Sequence, residues 1–225
     1  MDTNPTGSAP NPEYPQPEFP TSQPVPVKYR AWAKQVQISA IFAAISSLLG
    51  GLSFFELGKI AVGITGSIST SEAFLGLAAL VGVLALLVGR IWFEVAIIGF
   101  GFRATQTAVS KGYVTANKPG WFIASWFVPV VSIYLPGMLL SKLAEFSAGP
   151  QAKVRKREAW TFWICWTLVL LIFSAASNST GAHPTPVELT AVMAGFGVAS
   201  AFQAVPVILA RSLVSKLRND IDNLT

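Results

Sequence analysis

The chain has 225 residues, of which 52% are hydrophobic and only 12% are charged. A soluble domain carries roughly a quarter charged residues, so this composition excludes an ordinary soluble protein and indicates an integral membrane protein. The net charge of +5 does not predict a nucleic-acid partner, because the basic residues stand in short runs beside apolar segments, as membrane proteins use them to set orientation.

The first residues of the chain favour an unfolded tail. Residues 1–27 contain eight of the fifteen prolines and no apolar segment, so they favour solvated, extended conformations. We predict a disordered, proline-rich cytoplasmic tail over residues 1–35. A docking segment for an aromatic-lined groove, using Tyr14 and Phe19, is the alternative. Because no apolar signal region follows Met1, we expect the first apolar segment to act as an uncleaved anchor.

Four apolar segments follow, each close to or above the ~20 residues that a membrane-spanning helix needs. They predict an all-α membrane domain over residues 36–212, with spans at about 36–55, 76–102, 159–176 and 189–210. Beyond the last span, residues 213–225 place Leu213, Leu217, Ile221 and Leu224 on one stripe. This pattern predicts an amphipathic cytoplasmic tail that lies on the membrane surface or against a partner helix.

Small residues recur every fourth position in the first span, at Ala43, Ser47 and Gly51. Such a face lets two helix backbones approach closely in a membrane. The alternative is that alanine and glycine are simply common in such helices. Both interpretations remain open from the sequence.

The second span contains two charged residues, Arg90 and Glu94, four positions apart and therefore on one helix face. Charges at membrane depth cost ~3 kcal/mol or more on insertion scales and usually face the interior of a helix bundle. Three interpretations remain open: a buried structural ion pair, an interfacial pair if the hydrocarbon layer ends near Gly89, and a transport or relay site.

Residues 119–140 form an apolar segment long enough to cross a bilayer, but Pro129 and Pro136 interrupt it. Each proline removes a backbone donor, so the segment is predicted to form two short helices with a bend. If it crossed the membrane, the cytoplasmic side would hold six basic residues and the far side nine. If it returns, the cytoplasmic side holds fourteen and the far side one, as the positive-inside rule requires. We therefore predict four spans, a re-entrant or interfacial hairpin, and both termini in the cytoplasm.

The loop after this segment is the most basic stretch of the chain. It contains Lys153, Arg155, Lys156 and Arg157 within five residues. Basic residues near the surface attract anionic lipid by about 1 kcal/mol each. The cluster predicts lipid contacts, and the alternative is that it only sets the orientation of the next span.

The broken segment also carries aromatic and proline residues in a fixed spacing: Pro119-Gly120-Trp121, then Trp126-Phe127-Val128-Pro129, then Pro136. With this motif the chain resembles, over roughly residues 36–212, a bacterial membrane family of no assigned activity, the domain of unknown function forty-three twenty-eight. The resemblance implies two spans on each side of the motif and a bacterial inner membrane. Ser132 and Leu135 depart from the asparagine and the basic residue that are common in the family, so the resemblance implies no headgroup contact at position 135.

We expect the motif to be mainly architectural, because aromatic rings and prolines can wedge a bent segment in place without exposing backbone donors to lipid. The alternative is a ligand site, which needs convergent polar groups, and the segment offers only Ser125, Ser132 and Tyr134.

The sequence predicts neither a catalytic site nor a cofactor. One cysteine, Cys165, and one histidine, His183, exclude an internal disulfide and an ordinary zinc site. Intramembrane hydrolysis would need a nucleophile with a base or paired carboxylates at depth, whereas the predicted spans offer Glu94 and isolated hydroxyls. Two functions remain: a non-enzymatic scaffold or interaction protein, which binds lipids and a membrane-protein partner or a second copy, and a small transporter or channel subunit with a polar path near Arg90 and Glu94.

Overall fold

A computed structural model of the chain describes residues 28–63, 69–112, 119–128, 131–178 and 185–223. Residues 1–27 of the predicted tail lie outside these ranges, as do Pro129, His183 and Leu224. The described residues contain no β-strand and form six α-helices, with short 3-10 turns at Val131–Ile133 and Gly149–Gln151. The helices are α1 (Lys28–Gly63), α2 (Thr70–Ser110), α3 (Gly120–Phe127), α4 (Leu135–Ser147), α5 (Ala152–Asn178) and α6 (Pro186–Asp222).

Four of these helices, α1, α2, α5 and α6, are long and apolar enough to cross a membrane. The predicted all-α fold with four potential spans is therefore confirmed. Each of the four is longer than the ~20 residues that cross the hydrocarbon layer, so the remaining turns project beyond it.

Two of the long helices begin at capping boxes, which supply partners for their first free backbone donors. The Ser69 side chain accepts a hydrogen bond from the Glu72 backbone (3.3 Å), while the Glu72 carboxylate accepts one from the Ser69 backbone (2.8 Å). Thr185 and Glu188 make the same reciprocal pair at the start of α6. The two sequences therefore specify where α2 and α6 begin.

One end of the bundle gathers the start of α1, the end of α2, the start of α5 and the end of α6. There the Tyr29 hydroxyl donates to Asp222, Lys111 Nζ donates to the carbonyl of Ile221 (3.3 Å), and Arg155 pairs with Asp220 (2.9 Å). We call it the charged end. At the opposite end, the Thr190 hydroxyl of α6 donates to the carbonyl of Gly58 in α1 (3.3 Å).

The broken segment leaves the charged end and returns to it. The α3 helix packs on α2, where the ring of Phe122 lies over Gly101, and α4 packs on α5, where Gly137 lies against Trp163. Near the end of α4, Glu145 pairs with Lys156 of α5 (3.1 Å). The short helices therefore form a hairpin between α2 and α5 in the charged half of the bundle, where a buried apolar cluster also lies.

The structure differs from the sequence prediction at both boundaries of the membrane domain. The α1 helix begins at Lys28, within the predicted tail, and Tyr29 is buried. The α6 helix continues to Asp222, and its stripe of Leu213, Leu217 and Ile221 is buried in the apolar cluster of the same chain. The two helix ends cover each other, so the amphipathic stripe packs on α1 rather than on a membrane surface or a separate partner.

Cysteine labelling tests this arrangement in a membrane. On a Cys165→Ser background, single cysteines at Ser110 and Gln151, which flank the broken segment, should both react from the cytoplasmic side. A cysteine at Ser71, near the opposite end, should react only from the other side. A membrane-impermeant maleimide applied to intact cells and to inverted vesicles gives the measurement. Labelling of positions 110 and 151 from different sides would show that the segment crosses.

Candidate functional site

The two charges in the middle of α2 form a closed ion pair. Arg90 Nε lies 3.0 Å from Glu94 Oε1, one helical turn away, and the two side chains are 25% and 31% exposed. Because each charge has the other within hydrogen-bonding distance, neither is left bare in an apolar surrounding.

Aromatic rings of α5 cover the cation of this pair. The Arg90 guanidinium carbon lies 5.7 Å from the centre of a Trp166 ring and 5.6 Å from the centre of the Phe173 ring. Trp166 is buried and also packs on Phe93 of α2, with ring centres 5.7 Å apart. A cation over aromatic faces is stabilised electrostatically, and more so away from water. The ion pair therefore connects α2 to α5 just beyond the α3–α4 hairpin.

Among the buried polar groups without a hydrogen-bond partner in the described residues, three side chains lie on α1 and α6 within the apolar spans: Ser47 of α1, and Ser200 and Gln203 of α6. Close contacts between Gly51 and Gly197 set the register of α1 against α6, so Ser47, one turn before Gly51, faces the turn that carries the other two. A buried, unpartnered amide is costly in an apolar interior. Gln203 alone could have been found from sequence, as an amide inside an apolar span.

Close backbone approach holds the helices around these polar groups. A methyl group at Gly89 would lie 2.5 Å from Ser46 Oγ, and one at Gly51 would lie 2.9 Å from the carbonyl oxygen of Gly197. The small residues Ala43, Ser47 and Gly51 are buried, on the side of α1 that meets α2 and α6. Because glycines at both contacts leave no room for a side chain, α1 is tightly wedged between its two neighbours.

The motif of the broken segment divides into inward and outward residues. Trp126 packs edge-on against Trp163 (ring centres 5.4 Å apart), and Trp163 Nε1 donates to the carbonyl of Ile133 (2.7 Å). Pro136 is buried in the first turn of α4. These contacts hold the hairpin against α5.

The remaining motif positions supply little buried area within the chain. Trp121 and Phe127 are 46% and 74% exposed, Gly120 is exposed, and Pro119 is the N-terminal cap of α3. The residue that anchors α3 is instead Phe122, which is 1% exposed. The motif did not include it, although its spacing of four from Trp126 places both on one helix face.

The basic residues predicted to lie in a loop belong to the first turns of α5, and their side chains divide into two bonded and two unbonded ones. Arg155 is bonded to Asp220 and Glu158, and Lys156 is bonded to Glu145. By contrast, the side chains of Lys153 and Arg157 are exposed and make no hydrogen bond or ion pair with the described part of the chain. Arg155 therefore joins α5 to α6, while contact of this cluster with anionic lipid stays a prediction.

These features define an all-helical membrane protein with four potential spans, a short hairpin between the second and third of them, and a closed ion pair within one potential span. The profile of one family, "Domain of unknown function (DUF4328)", matches residues 64–218, more than half of the chain, so the chain belongs to that family. The family membership predicted from the motif is confirmed. Comparison with curated proteins and with solved structures gives no match.

Proposed function

We propose that the chain is a non-enzymatic scaffold or interaction protein of the membrane, and that α2 provides the surface for its partner. The observation that carries this proposal is the low burial of α2. Only 17% of its most apolar 18 residues are buried, compared with 44% for both α1 and α6. The α2 helix therefore presents most of its apolar length to its surroundings.

The exposed side of α2 has the spacing of a helix-packing seam. Large apolar side chains recur at alternating intervals of three and four residues, all about half exposed or more: Leu77, Leu80, Leu84, Leu87 and Ile91. An average period of 3.5 residues suits the packing of one helix along another. A transmembrane helix of a partner protein, or of a second copy, fits this seam.

The chemistry within the bundle supports a non-enzymatic role. The Glu94 carboxylate is bonded to Arg90. The buried hydroxyls of Ser39 and Ser46 donate to carbonyls of their own helix, at Val36 and Ala43, rather than to a base. An activated nucleophile needs an adjacent base, and these two hydroxyls lack one.

Site-specific photo-crosslinking in native membranes tests the proposal. A benzophenone side chain at Leu84, on the α2 seam, should give a discrete protein adduct. The same side chain at Leu171, an equally lipid-accessible position of α5, serves as the control and should give none. Protein adducts at neither position, or at both alike, would contradict an interface on α2.

A transporter or channel subunit is the second candidate, favoured by the unpartnered Ser47, Ser200 and Gln203. Polar groups inside a membrane bundle commonly mark a path for polar solutes. Reaction of a Gln203→Cys variant with a small water-soluble reagent would favour this role, because it requires water at that depth. The tight contacts around Gly51 and Gly89 favour the scaffold role instead.

We place the protein in the bacterial inner membrane with the charged end in the cytoplasm. The distribution of basic residues supports this orientation, since the sequence segments predicted to be cytoplasmic hold fourteen of the sixteen. Both termini then lie in the cytoplasm.

A further inference from the structure

A polar groove lies between α1 and α6, away from the α2 seam. It has a volume of about 390 Å³. Its lining consists of donors and one apolar side chain, without a carboxylate: Gln37, Ile208, Arg211, Ser212, Ser215 and Lys216.

The groove sits where both helices change from apolar to polar sequence. On α6, Arg211 is the first charged residue after Glu188, and on α1 no charge follows Gln37 until Glu56. A helix crosses from hydrocarbon to headgroups at such a boundary. The groove therefore lies at headgroup level.

Apolar surface continues from the groove toward the centre of the membrane. Ile41 lies one turn beyond Gln37 on α1, and Ile208 and Val205 lie before Arg211 on α6. All three side chains are between 45% and 57% exposed. An acyl chain that runs along this surface would bring its headgroup to the groove.

The donors of the groove are available to a ligand. The side chains of Gln37, Arg211, Ser212 and Ser215 make no hydrogen bond or ion pair with residues 28–63, 69–112, 119–128, 131–178 or 185–223. Lys216, by contrast, is already bonded to Glu158 (2.6 Å). Arg211 is therefore the free cation, and a guanidinium can donate two parallel hydrogen bonds to a phosphate.

We propose that this groove binds the phosphate of an anionic phospholipid headgroup, with Arg211 as its main contact and the Ser212, Ser215 and Gln37 side chains as further donors. A soluble phosphate would share the polar contacts. The adjoining apolar surface favours the lipid, because only a phosphate that carries acyl chains would contact this surface.

The test compares Arg211→Gln with Lys28→Gln, which also removes one positive charge, from an exposed position at the start of α1 outside the groove. Purified full-length protein is titrated with phosphatidylglycerol and with phosphatidylcholine, and the bound lipid is counted by native mass spectrometry. Arg211→Gln should weaken phosphatidylglycerol binding about tenfold, while Lys28→Gln stays close to wild type. Binding of phosphatidylcholine should be weak in all three proteins.

The remaining outcomes overturn the proposal. Equal binding by Arg211→Gln and Lys28→Gln would show that only general charge attracts the lipid. Inorganic phosphate gives the second arm: if it bound the groove of lipid-free protein as tightly as phosphatidylglycerol does, and displaced the lipid, the natural ligand would be a soluble anion. Circular dichroism melting confirms that both exposed variants are folded.

Discussion

Replacing Arg90 with leucine should lower the free energy of unfolding by about 3 kcal/mol, because it leaves the Glu94 carboxylate without a partner inside the bundle. Among the described residues, Glu94 has no other hydrogen bond or ion pair than the one to Arg90. The Arg90→Leu/Glu94→Leu double variant should recover most of the loss, since it removes both charges together. Thermal and denaturant unfolding in detergent, with yield of folded protein, give the measurement.

Arg90→Leu and Glu94→Leu should differ in stability, because aromatic rings of α5 cover the Arg90 side chain. Glu94→Leu leaves Arg90 over the rings of Trp166 and Phe173, which can stabilise a desolvated cation by about 2 kcal/mol. Arg90→Leu leaves a carboxylate with no such contact, so it should be the more damaging change. Arg157→Leu, at an exposed and unpaired position, is the control and should change stability little. If the double variant instead lost as much stability as the two single variants together, the pair would lie at the membrane interface.

Replacing Gly101 with valine should detach the α3–α4 hairpin from α2. Even a methyl group at this position would lie 2.0 Å from ring carbons of Phe122, which is fully buried, so the ring or the α3 helix would have to move. Overpacking of a core commonly costs about 1–3 kcal/mol. We expect a loss near the upper value, together with faster proteolysis at residues 119–151.

A complementary variant makes this prediction specific. Phe122→Ala removes the ring that collides, so Gly101→Ala should be tolerated better in that background than in the wild type. Gly120→Ala is the matched control, because a methyl group at exposed Gly120 meets no atom within 4 Å. If Gly101→Val left the melting temperature unchanged, α3 would not be held on α2 as described, and the motif would need a role other than anchoring the hairpin.

In the broken segment, the sequence predicts only some of the residues that anchor the hairpin. Prolines and tryptophans stand out in a sequence, and their spacing predicts that they hold the hairpin in place. In the structure Trp126 and Pro136 do face inward, but Trp121 and Phe127 face outward. The decisive contact is between Phe122 and Gly101, which are 21 positions apart in the chain. Phenylalanine is common in this chain, so its presence at position 122 does not by itself indicate a buried contact.

The sequence by itself determined the properties that depend on local composition. Apolar length predicted four long helices, and the charge distribution predicted that the segment between them returns to its own side. The spacing of Arg90 and Glu94 placed both on one face of α2. Each of these properties depends on helix geometry or on the free energy of transfer into lipid. Both are set by residues that are close together in the sequence.

Only the tertiary structure decided which surfaces meet. It placed Trp166 and Phe173 over Arg90, and it bonded Arg155 to Asp220, 65 positions away. It also packed the stripe at the end of α6 onto α1 of the same chain. Lipid, a partner protein or another part of the chain can each cover an apolar or charged helix face. The local sequence therefore cannot specify which of them covers it.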